Sequence, residues 1–422
     1  MTLADTKIRA AAMPAPEGMS PGALAGVRVV DFTQFEAGTS CTELLAWLGA
    51  DVIKVEPPLR GEQGRGASTD IPGVDSVYFM LLNANKRSVT ANLKSEEGKA
   101  LVKRLIAESD VMVENFGPGA IERLGLDYET VKAINPRMIY AQIKGFSPTG
   151  PYGSYLAFDP VAQAAGGAVS ITGEPDMRPV KPGINVGDTG AGLHCTIGIL
   201  SALHQRTRTG KGQRVEVAMQ ECVINFARIA YAAQYRFKEP APRCGNQSIM
   251  GGTSPSEAYP CLGGGQNDYC YVYTTRAGND HWHKMLKVIG REDLLGDERF
   301  DSPHSRYANQ AAIDEIVSAW TRNHDKRTVM KLLGDAGVPA SAVFDTMELQ
   351  EDEHLRERGM FVTVDHPERG EFVIPGCPIH LSDSPVTVTP SPLLGAHNDD
   401  VYRDILGLED AEIARLSKEG VI

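Results

Sequence analysis

Apolar and polar positions along the first part of the chain follow two alternating periods. Residues 27–32 and 51–56 are short, mostly apolar runs typical of buried strands, and residues 39–48 between them have the spacing of a helix that ends at Gly49. A strand, a helix and a second strand within about 30 residues make a βαβ unit, whose two strands pair in parallel.

The same pattern recurs as far as residue 143. Helical spacing covers residues 98–107 and 128–134, and short apolar runs at 111–113 and 138–143 predict strands. The first 150 residues are therefore predicted to form an α/β fold with an open parallel sheet and helices on both faces. Beyond them the pattern predicts a long buried helix, a strand and a further helix: residues 190–204, residues 213–218, and a stretch ending near residue 235.

The character of the sequence changes at residue 238. Residues 238–267 are rich in Gly, Pro, Ser and Asn, which predicts a linker and a mobile loop, and residues 268–345 have the pattern of a small α/β domain. The large domain is predicted to span residues 25–237 and to be completed by residues 346–422, where few helical signals precede residue 399. Residues 1–24 lack the apolar stretch of a signal peptide and are interpreted as an N-terminal extension.

Composition narrows the classes of function. The net charge of −12 argues against nucleic acid as a partner, because an acidic surface repels phosphates. Seven cysteines without a C-x-x-C pair predict reduced thiols in a cytoplasmic protein rather than disulfides or a zinc site. No run of about 18 apolar residues indicates a membrane span. His281 and His283 have no Cys or carboxylate cluster nearby, so no metal site is predicted.

Three loops follow predicted strands and contain Gly, Asn or Pro: residues 34–38, 115–119 and 144–153. Ligands of open α/β sheets bind beyond the carboxyl ends of the strands, so these loops are candidates for a ligand site. Turn chemistry alone is the simpler explanation for any one of them. None contains G-x-G-x-x-G and the chain has no G-x-x-x-x-G-K-[ST], so a dinucleotide or nucleoside triphosphate is not indicated.

Asp188 lies among small residues at the start of a predicted apolar helix. One interpretation is a helix N-cap, a position that favours Asp. The other is a covalent nucleophile whose small neighbours leave room for a bulky substrate, with the helix N-terminus stabilising negative charge. The two are compatible. The basic residues 85–88 and 206–214 are either solvated turns or contacts to a phosphate.

Several segments together resemble the family III CoA-transferases. They are GVRVVDFTQFEAG, LGADVIKVE, NKRSV, ENFGPGAIERLGLDYETVKAINPRMIYAQIKGF, the stretch around Asp188, and RTGKGQRVEVAM. The match runs from about residue 25 to the end of the chain and is strongest with the formyl-CoA:oxalate CoA-transferases. The order and spacing of these segments make the resemblance specific.

The resemblance implies a fold, an assembly and a reaction. The fold is a large Rossmann-like domain with a smaller α/β domain, and two chains form an interlocked homodimer. Asp188 matches the catalytic aspartate, which forms a mixed anhydride and then a CoA thioester, as CoA moves from an acyl-CoA to a small carboxylic acid. The route needs no cofactor beyond the CoA thioester itself.

The resemblance also implies site residues, in three groups. The catalytic group adds a loop to Asp188, namely Gly251 and Gly252. The residues expected to contact the acyl group or the acid are Glu36, Tyr78, Phe158, Asp159 and Met219. The residues expected to bind CoA are Asn115, Phe116, Arg123, Lys86 and Arg87.

Several residues differ from the family pattern, so the resemblance does not determine which carboxylic acid accepts CoA. Glu36 stands where formyl-CoA transferases have Gln and is expected to repel a small dianion such as oxalate, which favours a larger acceptor. Phe158 replaces a Tyr, and other changes fall at Ala67, Pro57, Leu156 and the shortened glycine run 250–252. Two alternatives remain: an isomerase resembling α-methylacyl-CoA racemases, whose second base, a His, is Phe158 here, and an acyl-CoA-binding protein without turnover.

Overall fold

The computed structural model describes residues 22–422, so residues 1–21 of the predicted extension lie outside it. We number the strands and helices in chain order. The strands β1–β11 are Arg28–Phe32, Asp51–Glu56, Arg87–Thr90, Val111–Glu114, Ile139–Lys144, Arg214–Ala218, Ser256–Pro260, Tyr269–Tyr273, Ala340–Ala342, Phe361–His366 and Gly370–Pro375.

The helices are mostly short, and α8 is the longest of those described. Helices α1–α18 are Ala37–Trp47, Val77–Met80, Glu96–Ala107, Ala120–Arg123, Tyr128–Ile134, Asp159–Ala165, Ala168–Ile171, Asp188–Thr209, Met219–Phe226, Arg228–Phe237, Asp280–Val288, Pro303–Ala308, Gln310–Thr321, Lys326–Asp335, Thr346–Glu351, Glu353–Glu357, Asn398–Asp404 and Asp410–Lys418. Two 3₁₀ turns cover Gln63–Gly66 and Glu292–Leu294. None of these helices is long and apolar enough to cross a membrane.

Six strands form one parallel sheet in the order β3-β2-β1-β4-β5-β6. The predicted open parallel sheet is therefore confirmed. Strands β1, β2, β4 and β5 are almost wholly buried because helices cover both faces. The chain leaves β1 toward β2 on one side and later returns to β4 on the other, which opens a crevice at the carboxyl ends of β1 and β4.

Two apolar clusters, one for each face, hold the helices to the sheet. The first includes Leu105 of α3 together with Tyr402 and Leu416 from the last two helices of the chain. The second packs α1 against α8. A Cβ at Gly192 of α8 would lie 2.9 Å from the Ser40 Cβ of α1, so glycine is needed for this close approach.

The described residues divide into two compact units. One contains residues 22–167, Pro182–Asn225 and His354–Ile422, and the other contains Ala168–Lys181 and Phe226–Glu353. The second unit has an antiparallel sheet, β7-β8-β9, and its own apolar core around Trp282 and Leu286. The sequence boundaries at residues 237 and 345 fall elsewhere, and the predicted domain division stays a prediction.

The structure differs from the sequence-based predictions in three segments of the chain. The basic segment 85–88, for which a solvated turn and contacts to a phosphate are both considered above, leads into the edge strand β3 of the large sheet, and the charged side chains of Lys86 and Arg87 have partners within the fold. Within the segment read as a linker, β7 pairs with β8. The hairpin of β10 and β11 and the short helices α15 and α16 occupy a stretch that gave few signals.

Candidate active site

A pocket of about 230 Å³ opens at the carboxyl edge of the large sheet. The loops after β1, β4 and β5 line it, which are the three loops that the sequence pointed to. The first residue of α8 and the first residue of α9, Asp188 and Met219, complete the wall. The remaining lining residues are Gln34, Phe35, Glu36, Ala37, Gln63, Asn115, Phe116, Gly117, Pro118, Ile143, Lys144, Gly145, Tyr155, Leu156, Ala157 and Phe158.

Asp188 is the first residue inside α8 and does not cap the helix. Gly187 occupies the N-cap position, and no side chain accepts a capping hydrogen bond there. Within residues 22–422 no hydrogen bond or ion pair holds the Asp188 carboxylate. The N-cap interpretation is therefore wrong, and the carboxylate is available to a ligand in the pocket.

Asp159 fixes the backbone that carries Asp188. Its Oδ1 accepts hydrogen bonds from the backbone N–H groups of Gly187, at 2.9 Å, and Asp188, at 3.3 Å. Its Oδ2 accepts one from Gln163 Nε2 at 2.6 Å. Because Asp159 is itself the first residue of α6, it ties the start of α6 to the start of α8.

Two hydrogen bonds hold the Glu36 carboxylate next to Asp188. Its Oε1 accepts a hydrogen bond from Thr189 Oγ1 at 2.8 Å, and its Oε2 accepts one from Asn185 Nδ2 at 2.7 Å. Both donors flank Asp188 in the sequence, so the two carboxylates are neighbours in the pocket wall. Glu36 is 91% buried and lies in the turn that leads from β1 into α1.

The surroundings raise the pKa of Asp188 to about 7. Burial is the largest cause, and repulsion from Glu36 and then from Asp159 adds to it. The pKa of the half-buried Tyr78 is also raised, by burial first and then by Glu36, Asp188 and Glu62. Tyr78 therefore keeps its proton at neutral pH, although it does not line this pocket.

Asn115 joins two of the pocket loops. Its side-chain Oδ1 accepts from the backbone N–H of Gln34 and its Nδ2 donates to the carbonyl of the same residue, both at 2.8 Å. Lys144 braces the next loop by donating to the Phe116 carbonyl at 2.7 Å and to Glu114 at 2.8 Å. These bonds give the pocket floor a fixed shape.

A second pocket of about 270 Å³ lies beside the first, at the ends of β1, β2 and β3. Gln34, Gln63 and Phe116 line both pockets. Val55, Leu93 and Leu124 give the second pocket an apolar surface that suits a flat ring, and Glu56, Glu62 and Lys94 also line it. Between the two pockets, Gln63 Nε2 donates a hydrogen bond to Gln34 Oε1 at 3.0 Å.

The structure does not bring all the predicted residues together. The Lys86 amine is fully buried, 3.2 Å from Asp31 Oδ2, and the Arg87 guanidinium binds Asp51 at the opposite edge of the sheet. Arg123 is exposed and lines neither pocket. The predicted role of these three residues in binding CoA has no support in this geometry.

Gly251 and Gly252 belong to the other compact unit. Their φ angles of +61° and +74° lie in the left-handed region that favours glycine. Their part in catalysis stays a prediction.

Sequence reasoning missed the second pocket. Leu93 and Lys94 lie three and four residues after the end of β3, and they would have been candidates had residues 87–90 been recognised as a strand. It also missed Asn185 and Thr189, which position Glu36. Within the described chain, 22–422, no group of three or more His, Cys, Asp or Glu side chains is placed to hold a metal ion.

Comparisons with known proteins identify the family. The family model for CoA-transferase family III matches residues 24–398. The chain belongs to CoA-transferase family III. It is 46% identical over 417 residues to a formyl-CoA:oxalate CoA-transferase of Streptomyces coelicolor, covering 96% of this chain and 100% of the relative. A formyl-CoA:oxalate CoA-transferase of Bradyrhizobium sp. is 43% identical over 418 residues, with 95% and 97% covered. The protein is a CoA-transferase enzyme, whose substrates include a CoA thioester.

Two solved structures have the same fold as this chain. A CAIB/BAIF family protein from Brucella suis superposes with a TM-score of 0.79 at 34% identity, over 90% of this chain and 98% of that protein. A hypothetical protein from Mycobacterium tuberculosis superposes with a TM-score of 0.77 at 28% identity, over 90% and 99%. The predicted α/β fold is thus confirmed, while the interlocked homodimer stays a prediction.

Proposed function

We propose that this CoA-transferase moves CoA between carboxylic acids through covalent intermediates on Asp188. The observation that carries the proposal is the Asp188 carboxylate itself, which faces the pocket without a hydrogen-bond or ion-pair partner in the described chain. A buried carboxylate without a stabilising cation is a stronger nucleophile than a solvated one.

The reaction proceeds in two symmetric halves. An Asp188 oxygen attacks the thioester carbonyl of the donor, which forms a mixed anhydride and releases the CoA thiolate. The thiolate then attacks the Asp188 carbonyl, which leaves an aspartyl-CoA thioester and releases the donor's acid with one oxygen from Asp188. The acceptor acid reverses both steps, so its acyl group leaves as a new thioester and Asp188 regains a carboxylate.

The raised pKa suits this role. At a pKa of about 7, about half of the Asp188 side chains are ionised at pH 7. The position at the N-terminus of α8 favours the negative charge that develops during each attack.

The two adjoining pockets suit the two ends of an acyl-CoA. The apolar walls of the second pocket fit the adenine ring, and the shared residue Phe116 lies on the path of the pantetheine arm toward Asp188. Asn115 would act by keeping the β1 and β4 loops at the distance that this path requires.

Asp188→Ala and Asp188→Asn test the nucleophile. Both should lower kcat by ~10⁴-fold or more, because no other residue replaces a covalent nucleophile. Circular dichroism and binding of CoA should stay close to those of the wild type. Transfer at a rate near that of the wild type in either variant would refute the role of Asp188.

The racemase alternative receives no specific support. Its second base would be a His immediately before Asp159, where Phe158 stands. Two activities of the wild-type protein separate the alternatives. A transferase forms a new CoA thioester only when an acid is supplied, whereas a racemase exchanges the α-proton of an acyl-CoA without any acid. A binding protein has neither activity.

A further inference from the structure

Two carboxylates line the first pocket and a third lies next to one of them. Glu36 and Asp188 line it, and Asp159 bonds the backbone N–H of Asp188. Among residues 22–422 none of the three forms an ion pair with a Lys or Arg. The amine of Lys144, which lines the same pocket, is already bound to Glu114 and to the Phe116 carbonyl. Among the described residues that line this pocket, Lys144 is therefore the one Lys or Arg, and Glu114 already neutralises its charge.

Glu36 cannot easily turn away from the pocket. Each of its carboxylate oxygens accepts a hydrogen bond, one from Thr189 and one from Asn185. Both donors lie within three residues of Asp188, so the charge of Glu36 stays beside the group to which the acyl chain would be bonded.

Apolar side chains line the same pocket. Phe35 and Phe158 meet edge to face with ring centroids 6.0 Å apart, and Phe158 is 63% exposed. Leu156 and Met219 also line the pocket. An acyl group bonded to Asp188 would thus share the pocket with Glu36 and with these uncharged side chains.

We propose that Glu36 makes the site specific for acids with a single carboxylate and an uncharged body, and that it excludes dicarboxylates. This inference rests on the proposed function and names the substrate class of the same site. One carboxylate of the acid is consumed in the bond to Asp188, so only a second carboxylate would meet Glu36 as a charge. The relatives named as oxalate-using enzymes would then differ from this chain in the acid they accept.

The test compares acids of equal length with one or two carboxylates, such as butyrate against succinate and acetate against oxalate. A like charge within a few ångströms in a partly buried site changes a rate constant by roughly 10- to 100-fold. We expect wild-type kcat/KM to favour the monocarboxylate of each pair by at least roughly tenfold. In Glu36→Gln the ratio of dicarboxylate to monocarboxylate should rise by a similar factor.

Glu129→Gln is the matched control, since it removes one charge from an exposed residue of α5. Its ratio should equal that of the wild type. A wild-type enzyme that uses succinate or oxalate as efficiently as its partner acid would overturn the inference and leave the proposed function standing. An unchanged ratio in a folded Glu36→Gln variant would do the same. If no acid of the panel yields a new thioester, the proposed function fails instead, and the inference with it.

Discussion

Two sets of buried carboxylates lie in the same compact unit and face opposite electrostatic conditions. Inside the sheet, Asp31 lies 3.2 Å from the Lys86 amine and Glu56 lies 2.7 Å from the Arg65 guanidinium. At the carboxyl edge of the sheet, Asp188 has Glu36 for a neighbour and no cation partner in the described chain.

The pKa values of the two sets shift in opposite directions, as Asp31 and Asp188 show. Burial alone would raise the pKa of Asp31, but Lys86, Lys54 and the Thr33 hydrogen bonds outweigh it and the pKa is lowered. Burial also raises the pKa of Asp188, where Glu36 and Asp159 add to the effect and the value reaches about 7. The paired carboxylates Asp31 and Glu56 stabilise the fold. Asp188 instead keeps a buried charge that lowers the stability of the fold, as reactive sites often do.

The largest effect on stability is expected where a paired charge loses its partner. Arg65→Met leaves Glu56, which is 99% buried, without the guanidinium that binds it at two points. We expect the free energy of unfolding to fall by about 3–5 kcal/mol, because the remaining charge is uncompensated. Urea unfolding followed by circular dichroism measures this. A loss below about 1 kcal/mol would show that the pair does not stabilise the fold.

An opposite effect is expected at the site. Asp188→Asn removes a buried charge and should stabilise the protein by roughly 1–3 kcal/mol at pH 8. The folded pKa of about 7 lies above the usual 3.8, so the wild type loses stability as the pH rises between these values, while the variant does not. The gain should therefore shrink toward pH 4. Equal melting temperatures at pH 8 would contradict the electrostatic cost.

The rate of transfer should follow the ionisation of Asp188. Below pH 7, kcat/KM should fall about tenfold per pH unit, because only the carboxylate attacks. The charged or titratable groups facing it are Glu36, Asp159 and Tyr78. Glu36→Gln removes one charge that repels the Asp188 carboxylate, so the pKa of Asp188 should fall. The decline of kcat/KM on the acidic side of the pH profile, its acid limb, should then begin at a lower pH. An acid limb at the same pH in both enzymes would disprove this coupling.

The smallest effect is expected from an exposed pair. Lys331 and Asp335 lie 2.5 Å apart on the surface of α14, with side chains 74% and 65% exposed. Lys331→Met should change the free energy of unfolding by less than about 0.5 kcal/mol, since solvent screens the pair. A cost comparable with that of Arg65→Met would remove the distinction between buried and exposed charge on which the comparison depends.

The sequence predicted the parts of the fold that depend on local pattern. The unit of β1, α1 and β2 and the helix Tyr128–Ile134 follow directly from hydrophobic spacing. The loops that form the pocket were predictable because strand ends define the ligand edge of such sheets.

The features that could not be predicted depend on side-chain partners that are distant in the sequence. Lys86 and Arg87 were candidates for a solvated turn or for phosphate contacts, because nothing nearby in the sequence shows that Asp31 and Asp51 pair with them. The hydrogen bonds of Glu36 to residues 149 and 153 positions away are equally invisible to pattern. Family resemblance pointed to Asp188, but only the coordinates show that it is the first residue inside α8 and that Gly187 occupies the N-cap position.

The most direct test of a covalent intermediate on Asp188 is an oxygen-18 labelling experiment. The acceptor acid would be supplied with both oxygens labelled with oxygen-18, together with the donor thioester that the exchange assay identifies. Because each turnover returns to Asp188 one oxygen from the acceptor, mass spectrometry of the peptide that contains Asp188 should show heavy oxygen on that residue alone. Formation of the new thioester over many turnovers with no label on Asp188 would contradict the covalent mechanism.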